Sequence, residues 1–428
     1  MIIHVVKSGE TISGIAREYG TSPQRIISDN ALSALPYPVV GQALIILIPE
    51  IIHTVTSGES IFTIAQSYNI TQLELLQKNP TLILNPVLYV GQTLAITFRN
   101  EQNTPLYISG YVYPYVSSTV IRRSLPFVSE CAIFGYGFND DGTLIPPYRD
   151  TSLIETIYEY NAAPILLLSS ITGDGTFSTE RSTLLFNDLQ LQETVLDNLV
   201  EVMKEKGYQG IDIDFEYINQ NDTAAFISFI DNAVSKMHEN GFSVNVDLAP
   251  KTSANQQGIL YEAHDYRAIG EIADTVLLMT YEWGYTYGPP MAVAPLPAVR
   301  RVVEYAVSEI PREKIMMGIP NYGYDWRLPF ERGVTRADNI GNEGAILLAA
   351  REGAQIEFDE RDKAPFFEYV DGEGNEHVVW FEDVRSISAK YDLIREFNLR
   401  GAGYWNLMRN FNQNWAYVSH QFDVIKEG

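Results

Sequence analysis

The chain has 428 residues, 46% hydrophobic and 20% charged, with a formal net charge of −24 and a single cysteine, Cys131. That length exceeds one ordinary core and points to two or more domains. So acidic a surface argues against nucleic-acid and anionic-membrane partners, and one cysteine excludes an intrachain disulfide.

The start, Met1-Ile2-Ile3-His4-Val5-Val6-Lys7, has no basic segment followed by an apolar run and a small-residue cleavage site, so no signal peptide is expected. No stretch of about 20 apolar residues, the length that spans a bilayer, occurs anywhere. The first 97 residues carry four basic against six acidic side chains, so the negative charge sits on the remainder.

One unit is written twice at the front. His4-Val5-Val6-Lys7-Ser8-Gly9-Glu10 matches His53-Thr54-Val55-Thr56-Ser57-Gly58-Glu59, Asn30 matches Asn79, and Gly41-Gln42 matches Gly91-Gln92. Each copy reads as strand, helix, helix, strand. Ile12, Ile15, Ala16 and Tyr19 fall on one helical stripe, as do Ile61, Ile64, Ala65 and Tyr68. Gly20 and Asn69 suit the left-handed residue that ends a helix. Ser22-Pro23 opens a second helix, and Thr71-x-x-Glu74 is a capping box. These units resemble the LysM module over almost their whole length. The resemblance implies binding of N-acetylglucosamine glycans in a shallow groove, between loops 8–12 and 30–38 in one copy and 57–61 and 79–87 in the other. The plainer alternative is a pair of helical protein-interaction modules.

Phe98 to Leu106 reads as a polar linker. Beyond it, strand-like runs alternate with amphipathic helices. Eight strands are expected at Leu106–Val112, Glu130–Tyr136, Pro164–Ser169, Gly210–Phe215, Ser243–Leu248, Thr275–Thr280, Ile315–Ile319 and Gly401–Leu407. Thr223–Glu239 and Pro297–Ile310 are clear helices between them. The pattern predicts an α/β fold, a (β/α)8 TIM barrel. A doubly wound open sheet is the alternative, but its glycine-rich phosphate loop is missing. About 80 residues separate strands seven and eight; short strands at Ala354–Asp359, Pro365–Val370 and Glu376–Phe381, with a turn at Asp371–Gly374, suggest a small α+β insertion. The division read from this is 1–49 and 50–98 for two βααβ modules and 99–428 for the barrel, with the insertion at about 327–384.

The segment Gln209-Gly210-Ile211-Asp212-Ile213-Asp214-Phe215-Glu216 carries the chemistry. The period of two along a strand puts Ile211, Ile213 and Phe215 on one face and Asp212, Asp214 and Glu216 on the other. Three carboxyls in one buried row cannot all ionise near neutrality, so at least one stays protonated, which a general acid requires. A structural ion-pair ladder is the alternative, but no Lys or Arg lies nearby in sequence. Six scattered His and one Cys give no transition-metal site, and no cofactor is expected.

The same segment resembles the Asp-x-x-Asp-x-Asp-x-Glu motif of glycoside hydrolase family 18, with Gln209 at the first position in place of Asp. The resemblance implies that Glu216 protonates the leaving glycosidic oxygen while the acetamido oxygen of the substrate attacks its own anomeric carbon, one of the exceptions to the two-carboxylate rule. It implies that Asp214 accepts from the acetamido N–H and that Asp212 holds Asp214. Tyr281 would bind the acetamido oxygen and Trp405 would floor the sugar. Gln209, Glu282 (where the family usually has Asp), Asn321 and Tyr111 are taken as further substrate-binding candidates.

Met279–Gly284 and Gly318–Trp326, with two front modules, look like the spore-cortex-lytic branch of that family. That implies an N-acetylglucosaminidase acting on cortex peptidoglycan during germination, located in the spore coat or cortex or the cell wall, and a monomer. A chitinase and an inactive glycan-binding protein are the competing readings.

Overall fold

The computed structural model describes every residue except Pro36 and 173–175. Pro36 falls within the expected 30–38 loop and so lies outside the described residues.

Each repeat builds a two-stranded antiparallel sheet, Ile2–Val5 with Ala43–Ile46 and Pro49–Thr54 with Thr93–Phe98. Between the strands lie helices Ile12–Tyr19 and Pro23–Asp29, and Ile61–Ser67 and Gln72–Lys78. The caps are those the residue types dictate. Ser22 accepts from the Arg25 N–H with Pro23 in the first turn, Thr71 and Glu74 form a capping box, and Gly20 and Asn69 take φ of 69° and 55°. The second copy adds a short helix, Thr81–Leu84. Asn30 and Asn79 are buried and structural: each side chain bridges a helix to the closing strand, at Ile45 and Ala95 respectively.

The eight barrel strands are Thr104–Val112, Glu130–Phe138, Ala163–Ser169, Gly210–Asp214, Ser243–Leu248, Thr275–Leu278, Ile315–Pro320 and Gly401–Trp405. They pair in parallel in that order, and the eighth closes on the first through Gly401↔Tyr107 to Tyr404↔Gly110. Tyr107, Ala132, Ile165, Leu167 and Met316 fill the interior. Ile211, Ile213 and Phe215 face the helices instead, as the alternation predicts.

The polar segment after Phe98 is short, with only 99–103 between the strands, and it is tied down, the Arg99 N–H donating to Ile48 O and the Gln102 N–H to His420 O. Between barrel strands seven and eight stands a five-stranded antiparallel sheet ordered Asp338–Ile340, Gly323–Arg327, Glu376–Trp380, Ala364–Val370, Glu357–Asp359, with helix Asn342–Glu352 on it. Its first strand in sequence starts at Gly323, close to the expected bound of about 327, and Tyr324 and Trp326 alternate into a buried face as a strand requires. The expected turn is present, with the Gly374 N–H donating to Asp371 O.

Candidate active site

The cleft opens at the C-terminal ends of the barrel strands, the end where barrel enzymes of this type work. Its volume is about 250 Å³, and Asp214, Glu216, Asp247, Tyr281, Glu282 and Trp405 line it. Phe134 and Tyr113 meet the Trp405 ring at centroid distances of 5.8 and 6.0 Å and fix its orientation as an aromatic wall. Pyranose C–H faces pack on such rings, while the carboxyls take the polar edge.

The acidic row of strand four points inward and continues onto strand five. Asp212 is buried, with Tyr111, Asn245 and Asp247 in hydrogen-bonding reach; burial is the main cause that lifts its pKa to about 6. Asn245 Nδ2 donates to Asp212 Oδ1 at 2.7 Å and to Asp247 Oδ1 at 3.2 Å. Tyr111 donates its hydroxyl to Asp247 Oδ1 at 2.7 Å. Above them, Asp214 is held well above the usual carboxylate range by burial, then by the charges of Glu216 and Asp212. Its Oδ1 is buried and has no hydrogen-bond partner among the described residues. Glu216 is raised by burial first and by the Glu282 charge second. Asp247 is raised by burial, then by Asp212 and Asp214. The group therefore shares protons and titrates as a set.

Glu282 stands at the mouth with φ of 65°. Solvent reaches its side chain from the cleft, but protein encloses the rest, and burial raises its pKa. The hydroxyls of Tyr322 and Tyr324 both donate to it, the latter at 3.0 Å.

The structure thus brings together Asp212, Asp214, Glu216, Tyr281, Glu282 and Trp405. It removes three candidates from substrate reach. Gln209 precedes strand four at the opposite end of the barrel, and its amide donates to the Tyr158 hydroxyl at 3.3 Å. Asn321 is 2% exposed, and its amide donates to the carbonyls of Asn406 and Arg409 at 3.0 and 2.9 Å, so it ties the ends of strands seven and eight together. Tyr111 is buried beneath the cleft, where it orients Asp247 and does not line the cavity. Sequence reasoning missed Asp247 and Asn245. The signal was present: Val244, Val246 and Leu248 alternate with Asn245 and Asp247 as cleanly as the residues of strand four do.

An aromatic wall facing a proton-sharing carboxyl cluster, at this end of a parallel barrel, is an arrangement suited to a sugar ring and to acid–base chemistry on it, the class of site that glycoside hydrolases present. The sequence profile described as Glycosyl hydrolases family 18 matches residues 110–410, and that of the LysM domain matches 4–47 and 53–97. The chain belongs to glycosyl hydrolase family 18 and carries two LysM modules.

It is 41% identical to a cortical fragment-lytic enzyme of Bacillus subtilis (strain 168), over 100% of this chain and 99% of that one. Among solved structures it is similar to the spore cortex-lytic enzyme SleL of Bacillus cereus, at 34% identity and a TM-score of 0.85, covering 100% of this chain and 99% of that one. SleL of Bacillus megaterium QM B1551 gives 36% identity and 0.83, with 99% and 98% covered.

Proposed function

We propose that the enzyme hydrolyses the β-1,4 bond after N-acetylglucosamine in spore-cortex peptidoglycan, with retention and with help from the substrate's own acetamido group. The observation that carries this reading is the unpartnered, buried Oδ1 of Asp214 beside Glu216. A buried acceptor left open costs free energy unless a ligand completes it, and an acetamido N–H is the donor such a cleft would receive.

In the first step Glu216 gives its proton to the leaving oxygen as the glycosidic C–O bond breaks. The acetamido oxygen bonds to the anomeric carbon, Asp214 accepts from the N–H of the resulting oxazolinium, and the Tyr281 hydroxyl orients the acetamido oxygen. Asp212, Asn245, Tyr111 and Asp247 keep Asp214 surrounded by fixed, proton-sharing groups. In the second step Glu216, now a carboxylate, takes a proton from water; the oxygen bonds to the anomeric carbon, the oxazoline opens, and Glu216 is protonated again. Trp405 lies under the ring throughout.

The cortex as substrate is supported by relatives of the same length and module order that are named for cortex lysis. The same relatives support a spore or cell-wall location, and the LysM modules support glycan capture. A monomer suffices, because every group in the scheme comes from one chain.

Incubation with purified cortex fragments, followed by mass spectrometry of the new reducing ends, tests the assignment. N-acetylglucosamine ends are expected; muramic ends would make the enzyme a muramidase. Glu216→Gln is expected to lower turnover about 10²–10⁴-fold, the worth of acid catalysis, while glycan affinity persists.

A further inference from the structure

Strand five, which no catalytic motif marks, sets a fourth carboxyl against the row of Asp212, Asp214 and Glu216. The pairing of Asn245 with Asp212 and of Val246 with Ile213 brings Asp247 level with Asp214, one strand away. Asp247 is 3% exposed and lines the cleft. No Lys, Arg or His lines that cleft among the described residues. Like charges so close cannot all ionise, so at least one of the four acids keeps a proton.

The hydrogen bonds single out one of them. Thr275 donates its hydroxyl to Asn245 Oδ1 at 2.9 Å, which turns both amide hydrogens of Asn245 toward the acids. They go to Asp212 Oδ1 at 2.7 Å and to Asp247 Oδ1 at 3.2 Å. The Tyr111 hydroxyl adds a third donor, again to Asp247 Oδ1, at 2.7 Å. All three donors thus end on Oδ1 atoms. Oδ2 is the Asp247 oxygen left to carry a proton, and Asp212 lies in hydrogen-bonding reach to accept it. Two carboxyls make such a contact only when one of them is a neutral acid. Asp214 has different surroundings. Its Oδ1 has no donor among the described residues, and in the reaction it faces the cationic oxazolinium, which favours its charged form.

We propose that Asp247 is a positioning residue that keeps one proton throughout the cycle, as a neutral acid donating from Oδ2 to Asp212. With that proton fixed, Asp212 stays an anion and draws none from Asp214. The second proton of the cluster belongs to Glu216. Before the glycosidic bond breaks, Asp212 and Asp214 are therefore charged while Asp247 and Glu216 are neutral. Asp214 meets the oxazolinium with its full charge, and Glu216 holds the proton it delivers to the leaving oxygen. Burial, then the charges of Asp212 and Asp214, also favour the neutral form of Asp247. The role in turnover rests on the proposed acetamido mechanism; the place of the proton rests on the hydrogen bonds.

Infrared difference spectroscopy locates the proton. The full chain, labelled with ¹³C-carboxyl aspartate so that Glu216 and Glu282 stay out of the labelled bands, is compared with Asp247→Asn at neutral pH without substrate. Loss of one labelled neutral-acid C=O band in Asp247→Asn is expected; superimposable spectra overturn the proposal. With cortex fragments, Asp247→Ala is expected to lower kcat about 10²-fold, the cost of a displaced catalytic group, and Asp247→Asn to recover at least about tenfold of that loss. The amide keeps a neutral donor toward Asp212 and an acceptor for Tyr111 and Asn245. An Asn variant as slow as the Ala variant means that Asp247 works as an anion, and parent rates in both mean that it has no role; either result overturns the proposal. Where Asp247→Ala fails to fold, Asp247→Asn is set against Glu216→Gln, and equal losses overturn the role. A parent enzyme inert on cortex fragments counts against the catalytic reading alone, and the spectrum still decides the proton.

Discussion

Glu282 shows how one side chain shifts the titration of another. Its charge is the second cause, after burial, of the raised pKa of Glu216. In the proposed mechanism Glu216 must be protonated to act, so activity should fall as pH rises through its pKa. Glu282→Gln removes the charge that favours the proton, lowers the Glu216 pKa, and should move the alkaline limb of the kcat profile to lower pH. An unmoved or upward-shifted limb would contradict the assignment. Gln209, by contrast, should be catalytically silent: Gln209→Ala is expected to change kcat and KM by less than about twofold, since it sits at the barrel end opposite the cleft, where residues serve stability. The two cases show what strand four disclosed. Its parity carries Asp212, Asp214 and Glu216 inward, and the same parity turns Gln209 outward with Ile211. Matching a motif by spacing overrode a periodicity already in view. Asp247 was hidden for the opposite reason, because no motif flagged it although its strand alternates as well. Asn321 could not be resolved from sequence: whether an amide after a strand faces a ligand or a neighbouring loop depends on where residues 406 and 409 return.

At the level of elements, the two copies of the front repeat have come to do different work. In the second copy Val87, Tyr89 and Val90 stand 53, 62 and 74% exposed. In the first, Val39 is buried against the insertion, and Val40 O accepts from the Ile356 N–H at 3.0 Å. The paired glycines report this difference. Gly41 and Gly91 have φ of 83° and 87°, but a Cβ on Gly41 would lie 1.8 Å from Ile356 O, whereas one on Gly91 meets nothing within 4 Å. Alanine in the left-handed region costs about 1–2 kcal/mol at either site. Gly41→Ala must in addition push the first module off the insertion. It should therefore lower the melting temperature clearly more than Gly91→Ala and speed hydrogen exchange at the Ile356 amide; equal effects would mean the contact is not firm. The repeat itself, its caps and the eight barrel strands were legible because each is signalled within a few residues. The docking was not, because it joins Val40 to a partner more than 300 positions away.

For the whole molecule the question is whether three units fold as three. Small modules joined by a short segment ordinarily move relative to one another unless their interface is large and apolar. Here Ala43, Ile45 and Leu47 of the first module and Ile83, Ala95 and Phe98 of the second belong to the same continuous core as the barrel helices. Polar ties reinforce it: Gln413 Nε2 donates to Asn30 Oδ1 at 3.1 Å and to Ala43 O at 2.7 Å, and the Arg25 guanidinium lies 4.6 Å from the centre of the Phe98 ring. A module of about 48 residues buries too little surface to be robust alone, so its stability comes from this shared core. All five tryptophans lie between Trp283 and Trp415, so tryptophan fluorescence comes from the barrel and its insertion and, in a Trp415→Phe variant, loses the one that lies beside the modules. Hydrogen exchange at Ile45 and Ala95, whose amides donate to Asn30 and Asn79, reports on the modules. The two probes should give coincident denaturant midpoints, the mark of a single cooperative transition. Modules that open well before the barrel would show that the common core does not couple them.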